Sequence, residues 1–242
     1  MTRPQVARTG LVRARRVFTT RAGGVSTGRF ARFNLGADVG DTAAAVAANR
    51  ARAGKELGVP VVFLSPTGDG GVTVLPGGPD TDLRADALVV ARVGFALAVP
   101  AADAVPVLLA DPRAGVVAVA HVGRRSARAG VLPATVEAMT GLGARADGIE
   151  VLLGPALCGA CHEVSAAERA AVDAILPGSA ARARSGRPGL DLRAGLHRQV
   201  QALGIARVGA DPRCTAETRD LYSEHRDGVT GRHAGITWLA AA

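Results

Sequence analysis

Asp103 and His121 stand at the two ends of an apolar stretch that folds back on itself, and a carboxylate beside an imidazole is the minimal set for acid–base chemistry. Val105 to Ala110 and Val116 to His121 are apolar, β-branched runs. Between them, Asp111-Pro112-Arg113-Ala114-Gly115 has turn chemistry at hairpin length. Pairing Ala110 with Val116 sets Val105 opposite His121 and makes Asp103 a diagonal neighbour on the same face. Ala102-Asp103-Ala104 and His121-Val122-Gly123 then share one end of the hairpin, at a sheet edge. A helix follows, capped by Ser126 and running through Leu132, Val136 and Met139. The bland alternative is a strand-end pair that is merely solvated or mutually satisfied.

Anion binding needs placed cations. Arg21 precedes Gly23-Gly24, where a guanidinium can hold a phosphate through two parallel hydrogen bonds, and Arg125 follows His121 in the group Arg124-Arg125-Arg128. Val17 to Asp41 is a polar segment with only Phe30, Phe33, Leu35 and Val39 to pack, a length of loop that usually has a task. Ser26, Asn34 and Asp41 are its other polar candidates, and bonding the loop to itself is an equally good reading of them.

Cys158-Gly159-Ala160-Cys161-His162 matches the attachment pattern of c-type haem, but that chemistry belongs to exported proteins, and no secretion signal precedes it. Two thiolates and an imidazole also suit zinc, although no second ligand pair is evident nearby in the chain. The plain reading is a strand-to-helix loop of small residues.

The elements that must position these groups alternate in type. Thr42 to Leu57 reads as a helix stopped by Gly58 and Pro60. Val61 to Leu64 and Val72 to Leu75 read as strands, Gly77 to Asp82 as a turn-rich break, and Ile149 to Leu153 as a strand. Ser165 to Leu176 is a helix opened by a capping box with Glu168. Pro177 to Pro188 is a basic excursion, Leu192 to Leu203 a helix, and Ile236 to Leu239 a closing strand. Intermixed strands and helices around a central hairpin predict an α/β class, an α+β sandwich of mixed sheets with flanking helices, in one domain over 1–242.

Composition bounds the function. At 242 residues with 48% apolar content the chain can bury a sizeable core. No apolar run approaches the roughly 20 residues of a membrane helix, so neither a membrane nor export is expected, and the three cysteines, too few for a disulfide framework, fit a reducing cytoplasm. The net charge of +8 invites a nucleic-acid partner, yet the arginines are scattered and the seven aromatics leave little for base stacking. A small phosphate-bearing molecule is the better use of local arginines. Nothing in the sequence specifies an oligomeric state.

Taken in order, FTTRAGGVS, FNLGADVGD, AANRARAGKELG, ALAVPAADAVPVLLADPRAGVVAVAH, GPALCGACHEV, LDL and RCTAETRDLYSEHRDGVTGRHAGITWL resemble the bacterial laccase-domain family over Val17 to Leu239. That family is also called multicopper polyphenol oxidoreductase-like, and it includes purine nucleoside phosphorylases with adenosine deaminase side activity. The resemblance implies phosphorolysis of adenosine or inosine, with a purine nucleoside and phosphate as partners. It also implies a metal site, zinc or copper, built from two histidines and a cysteine.

Those ligand positions have diverged. Gly68 in Ser65-Pro66-Thr67-Gly68-Asp69 stands for one histidine, and Ala104 in Ala101-Ala102-Asp103-Ala104-Val105-Pro106 for the cysteine. His121 keeps its place, while Arg124 replaces the tryptophan that follows. A catalytic zinc needs three protein ligands, so no tightly bound metal is expected at this site, and His121 is its one retained ligand. The expectation is a phosphorylase-type enzyme, impaired, with Asp103 and His121 as acid–base pair and Arg21, Arg125 and Asn34 around substrate and phosphate. Rebuilding of a metal site by Cys158, Cys161 or His162 is the variant to watch. The alternatives are a degenerate nucleoside-binding or regulatory protein that keeps the fold and, last, a true laccase, for which five scattered histidines are too few.

Overall fold

The computed structural model describes residues 12–76 and 83–241; the expected break at Gly77 to Asp82 lies outside the described residues. In chain order the strands are β1 (Val12–Phe18), β2 (Val61–Ser65), β3 (Val72–Val74), β4 (Leu83–Arg84), β5 (Ala87–Val90), β6 (Ala96–Ala101), β7 (Val105–Asp111), β8 (Val116–Val122), β9 (Glu150–Leu153), β10 (Ala180–Arg182), β11 (Pro188–Leu190), β12 (Arg207–Ala210) and β13 (His233–Ala241). The helices are α1 (Ala43–Leu57), α2 (Arg124–Arg128), α3 (Val131–Gly141), α4 (Ala166–Asp173), α5 (Leu192–Ala202) and α6 (Glu224–Asp227).

Two mixed sheets face each other, ordered β1-β13-β6-β2-β4 and β12-β9-β7-β8-β5-β3. Strand alternation sorts the core into layers. Leu108, Ala110, Val117 and Val119 join Val62, Leu64, Leu97 and Val99 between the sheets. Their alternates Val107, Leu109, Ala118 and Ala120 face Val131, Leu132, Val136 and Met139 of α3 and Leu196 and Val200 of α5. α1 covers the other sheet through Ala53 and Leu57. The chain is therefore an α/β sandwich, as the intermixed elements predict.

The central hairpin forms one residue out of the expected register. Asp111 pairs with Val116, which sets His121 opposite Pro106 and Val122 opposite Val105. The cause is in the turn: the Asp111 carboxylate accepts from the amides of Arg113 and Ala114, so Asp111 belongs to the strand and the loop is shorter. A one-residue slip moves side chains to the opposite face. His121 therefore follows Val117 and Val119 toward the space between the sheets.

The expected helix after His121 is two helices, broken at Gly130, which takes a left-handed φ of 76°. Ser126 does not cap it: the cap is Gly123, and Ser126, inside α2, accepts from the Gly123 amide and donates to the His121 carbonyl. β1 has no counterpart among the expected elements; its Arg-rich alternation is an edge strand paired with β13. The basic excursion contains β10 and leads into β11, with which β10 forms a hairpin.

Candidate active site

The open end of the hairpin, opposite its turn, faces a cavity of about 660 Å³, whose wall includes Gly68, Asp103, Ala104, His121, Arg125 and His162. Arg50, Arg124, His225 and Arg232 are also on it. A volume in this range suits a small-molecule ligand.

Asp103 sits in the β6–β7 turn with a φ of 77°, uncommon for a residue with a Cβ and tolerated best by Asn and Asp among them. Its carboxylate does not meet His121. One oxygen accepts from Thr215 Oγ1 at 2.5 Å, the other from the amide of His225 at 2.8 Å, and its carbonyl accepts from the Leu157 amide at 3.0 Å. Asp103 thereby pins three distant segments to one corner of the cavity. His121 leaves Nδ1 buried without a hydrogen-bond partner. Burial pushes its pKa down to about 4, against the opposing pull of Asp86, so the imidazole is neutral near pH 7. Burial and Arg124 depress His162 likewise.

Asp86 organises the loop beneath. Fully buried, it accepts from the amides of Thr67 at 3.0 Å, Gly68 at 2.8 Å and Gly70 at 2.6 Å. Its carbonyl accepts from the His121 amide at 2.8 Å. This shape turns Gly68 to a φ of 77° toward Arg125: a Cβ built there would lie 3.4 Å from the guanidinium carbon.

The other residues singled out in the sequence lie elsewhere. Arg21 is not on the cavity wall; it donates to the Ala31 carbonyl, pairs with Asp227 at 3.5 Å and stacks 4.7 Å above the Tyr222 ring. Asn34 is fully buried behind the wall. It bonds both ways with Gly36, donates to Asp41 and accepts from the Arg232 amide, so it shapes the Gly36–Val39 lip without facing the cavity. His162, which the sequence offers as a replacement metal ligand, is on the wall, joined by His225 and Arg232, whose loops are distant in sequence and carry no local signal for the pocket.

The three positions that resemblance assigns to a metal do converge. Gly68, Ala104 and His121 all line the cavity, and a Cβ on Gly123 would stand 3.7 Å from His121 Cε1 and 3.8 Å from Ala104 Cβ. Glycine and alanine carry no donor atom, so the set does not fit a three-ligand ion. Ligand-rich chemistry lies elsewhere. Among the described residues, Cys158, Cys161, Cys214 and Glu217 gather their ligand atoms within 4.8 Å of one another. The expectation that the cysteine loop lacks a second ligand pair is thereby corrected: Cys214 and Glu217 provide it from 56 residues further along the chain.

The family model described as multi-copper polyphenol oxidoreductase laccase matches residues 15–240. The chain belongs to this laccase-domain family. Among relatives, a purine nucleoside phosphorylase of Corynebacterium glutamicum is 49% identical over 232 residues, covering 93% of this chain and 94% of that one. The purine nucleoside phosphorylase Rv2149c of Mycobacterium tuberculosis is 47% identical over 232 residues, covering 94% and 93%. Among solved structures, the Neisseria meningitidis protein NMB0706 superposes with a TM-score of 0.83 at 34% identity, covering 94% and 95%. YfiH of Bacillus licheniformis gives 0.86 at 26%, covering 94% and 93%. As in those laccase-domain structures, mixed sheets and helices form a single α/β domain. No helix of the described residues is long and apolar enough to cross a membrane.

Proposed function

We propose that the cavity is the active site of a purine nucleoside phosphorylase acting on adenosine or inosine, with adenosine deamination as the side activity that the family resemblance implies. The observation that carries this reading is the wall itself: Arg124, Arg125 and Arg232 line the same nucleoside-sized space as Asp103, His121 and His162. The relatives' names as purine nucleoside phosphorylases support it.

In phosphorolysis a phosphate oxygen attacks ribose C1′, the bond from C1′ to the purine nitrogen breaks, and its electron pair leaves with the base. Arg125 and Arg124, at the start of α2, hold the phosphate oxygens, since guanidinium groups match that anion in charge and geometry. Neutral His121 exchanges hydrogen bonds with the nucleoside at the mouth of the sheet. Asp103, held by Thr215 and the His225 amide, fixes the ribose hydroxyls and places the positive charge developing at C1′ beside a carboxylate. Asn34 acts from behind by setting the lip. No step runs through a metal at Gly68, Ala104 and His121, and turnover is accordingly modest.

The test is incubation of the purified protein with inosine or adenosine, with and without phosphate, followed by chromatography for free base and ribose 1-phosphate. Phosphate-dependent release of base is the expected result, and its absence overturns the proposal. Because two family ligand positions lack donors, a second reading is a nucleoside-binding protein without turnover. Calorimetric binding of inosine with no released base is its signature.

A further inference from the structure

We propose that Cys158, Cys161, Cys214 and Glu217 form a zinc site that clamps the wall loop carrying His162 to the loop behind it that carries Thr215, separate from the position of His121. The four ligand atoms lie within 4.8 Å of one another. The edge of a tetrahedron with zinc–sulfur bonds of about 2.3 Å is about 3.8 Å, so a contraction of about 1 Å closes the shell.

The backbone is arranged for it. The ligands come as two pairs, Cys158 with Cys161 and Cys214 with Glu217, each spaced by three residues. Each pair sits on the same kind of turn. The Cys158 carbonyl accepts from the amides of Cys161 at 3.0 Å and His162 at 2.9 Å, and the Cys214 carbonyl accepts from those of Glu217 at 3.2 Å and Thr218 at 2.9 Å. Two such turns with ligands at their first and fourth residues are the spacing of structural zinc sites. The turns are already joined: Ala156 bridges Cys214 in parallel, the Cys158 amide donates to Cys214 Sγ at 3.4 Å, and Cys161 Sγ lies 3.5 Å from Glu217 Oε1.

All three cysteines are unbridged, Cys214 is buried and Glu217 is at the solvent edge, which leaves an entry path for the ion. Arg184 pairs with the Glu217 carboxylate and orients it as an outer-shell partner. Three sulfurs with one oxygen suit zinc; copper(I) would favour the sulfurs alone. Binding displaces the thiol protons and changes no oxidation state.

The clamp has a consequence for the cavity. One turn continues into His162 on the wall, and the other into Thr215, which donates to Asp103. Zinc at this point ties the wall loop of His162 to the turn that anchors Asp103.

The experiment uses the full chain purified under reducing conditions, with elemental analysis and cobalt(II) substitution read by absorption. About one zinc per chain and a cobalt spectrum with thiolate charge-transfer bands are expected. His121→Ala retains both. Cys214→Ser and Cys161→Ser lose the bands, and Arg184→Ala weakens zinc about tenfold. Because a cysteine variant can fail to fold, wild-type thiols are also titrated with and without zinc, and zinc is expected to slow modification of all three. No stoichiometric zinc or cobalt, unprotected thiols, a Cys158–Cys161 disulfide in the reduced preparation, or metal lost in His121→Ala would each overturn the proposal. Metal content is read without nucleoside, so this result is independent of the phosphorolysis assay.

Discussion

Asp103 and Thr215 meet at 2.5 Å across 112 residues of chain, and that bond, together with the His225 amide on the other oxygen, decides which way the carboxylate of the β6–β7 turn points. The left-handed φ of Asp103 is compatible with this use, since the short polar side chain tolerates it.

Asp103→Asn therefore keeps the backbone and the fold and removes only the charge. Phosphorolysis is expected to fall by about 10²-fold or more, with the melting temperature nearly unchanged. Thr215→Val, which leaves the carboxylate one donor short, is expected to cost about 1 kcal/mol of stability and a smaller loss in kcat. Equal activity of Asp103→Asn and the parent in steady-state assays would remove Asp103 from the mechanism.

Arg125 occupies the direction in which a side chain at Gly68 would grow. Gly68→His is expected to be strained at its φ of 77°, to lose about 1–2 kcal/mol, and to gain no metal at His121. Arg125→Ala is expected to raise the KM for phosphate at least about tenfold, the share of one charge-assisted contact, while nucleoside binding holds. Thermal melts, elemental analysis and phosphate titrations check these outcomes.

Asp86 is the buried anion on which the Thr67–Gly71 loop hangs. Asp86→Ala strands the amides of Thr67, Gly68 and Gly70 and is expected to cost about 3 kcal/mol or more in urea denaturation. Asp86→Asn keeps the volume and also removes the charge that opposes the depression of His121, so the His121 pKa should fall further by NMR titration.

Burial holds His233, like His121, at a pKa of about 4, whereas both titrate near 6.5 when unfolded. Their folded pKa lies below the unfolded one, so between about pH 6.5 and 4 the unfolded chain binds more protons and stability falls with falling pH. The slope approaches about 1.4 kcal/mol per pH unit for each imidazole in that window. Urea midpoints at a series of pH values should show it, and His233→Leu should flatten it. A midpoint independent of pH across the window would contradict neutral burial.

Local pattern made much of this legible. The continuous apolar runs of β7 and β8, the Gly58 and Pro60 stop after α1 and the Ser165 cap of α4 are statements about neighbours in the chain, and they hold in three dimensions. The two segments share one hairpin end as the sequence implies. The register, one residue from the Ala110–Val116 pairing, was open because Asp111 spends its side chain on the turn, a choice set by hydrogen bonds that residue type leaves open. Arg21 looked suited to an anion beside two glycines, yet a carbonyl, a carboxylate and an aromatic face from other segments take its charge.

The sequence by itself determined the α/β class, the family likeness and the absence of donor atoms at Gly68 and Ala104, because each depends on residue type and order alone. Only the tertiary structure decided that Asp103 answers to Thr215 and His225 while His121 Nδ1 is buried without a partner, and that Cys214 and Glu217 complete the ligand set of Cys158 and Cys161. The reason is physical: these groups meet through loop closures of 50 to more than 100 residues, and the energy that closes such loops comes from packing two sheets face to face, which no local spacing encodes.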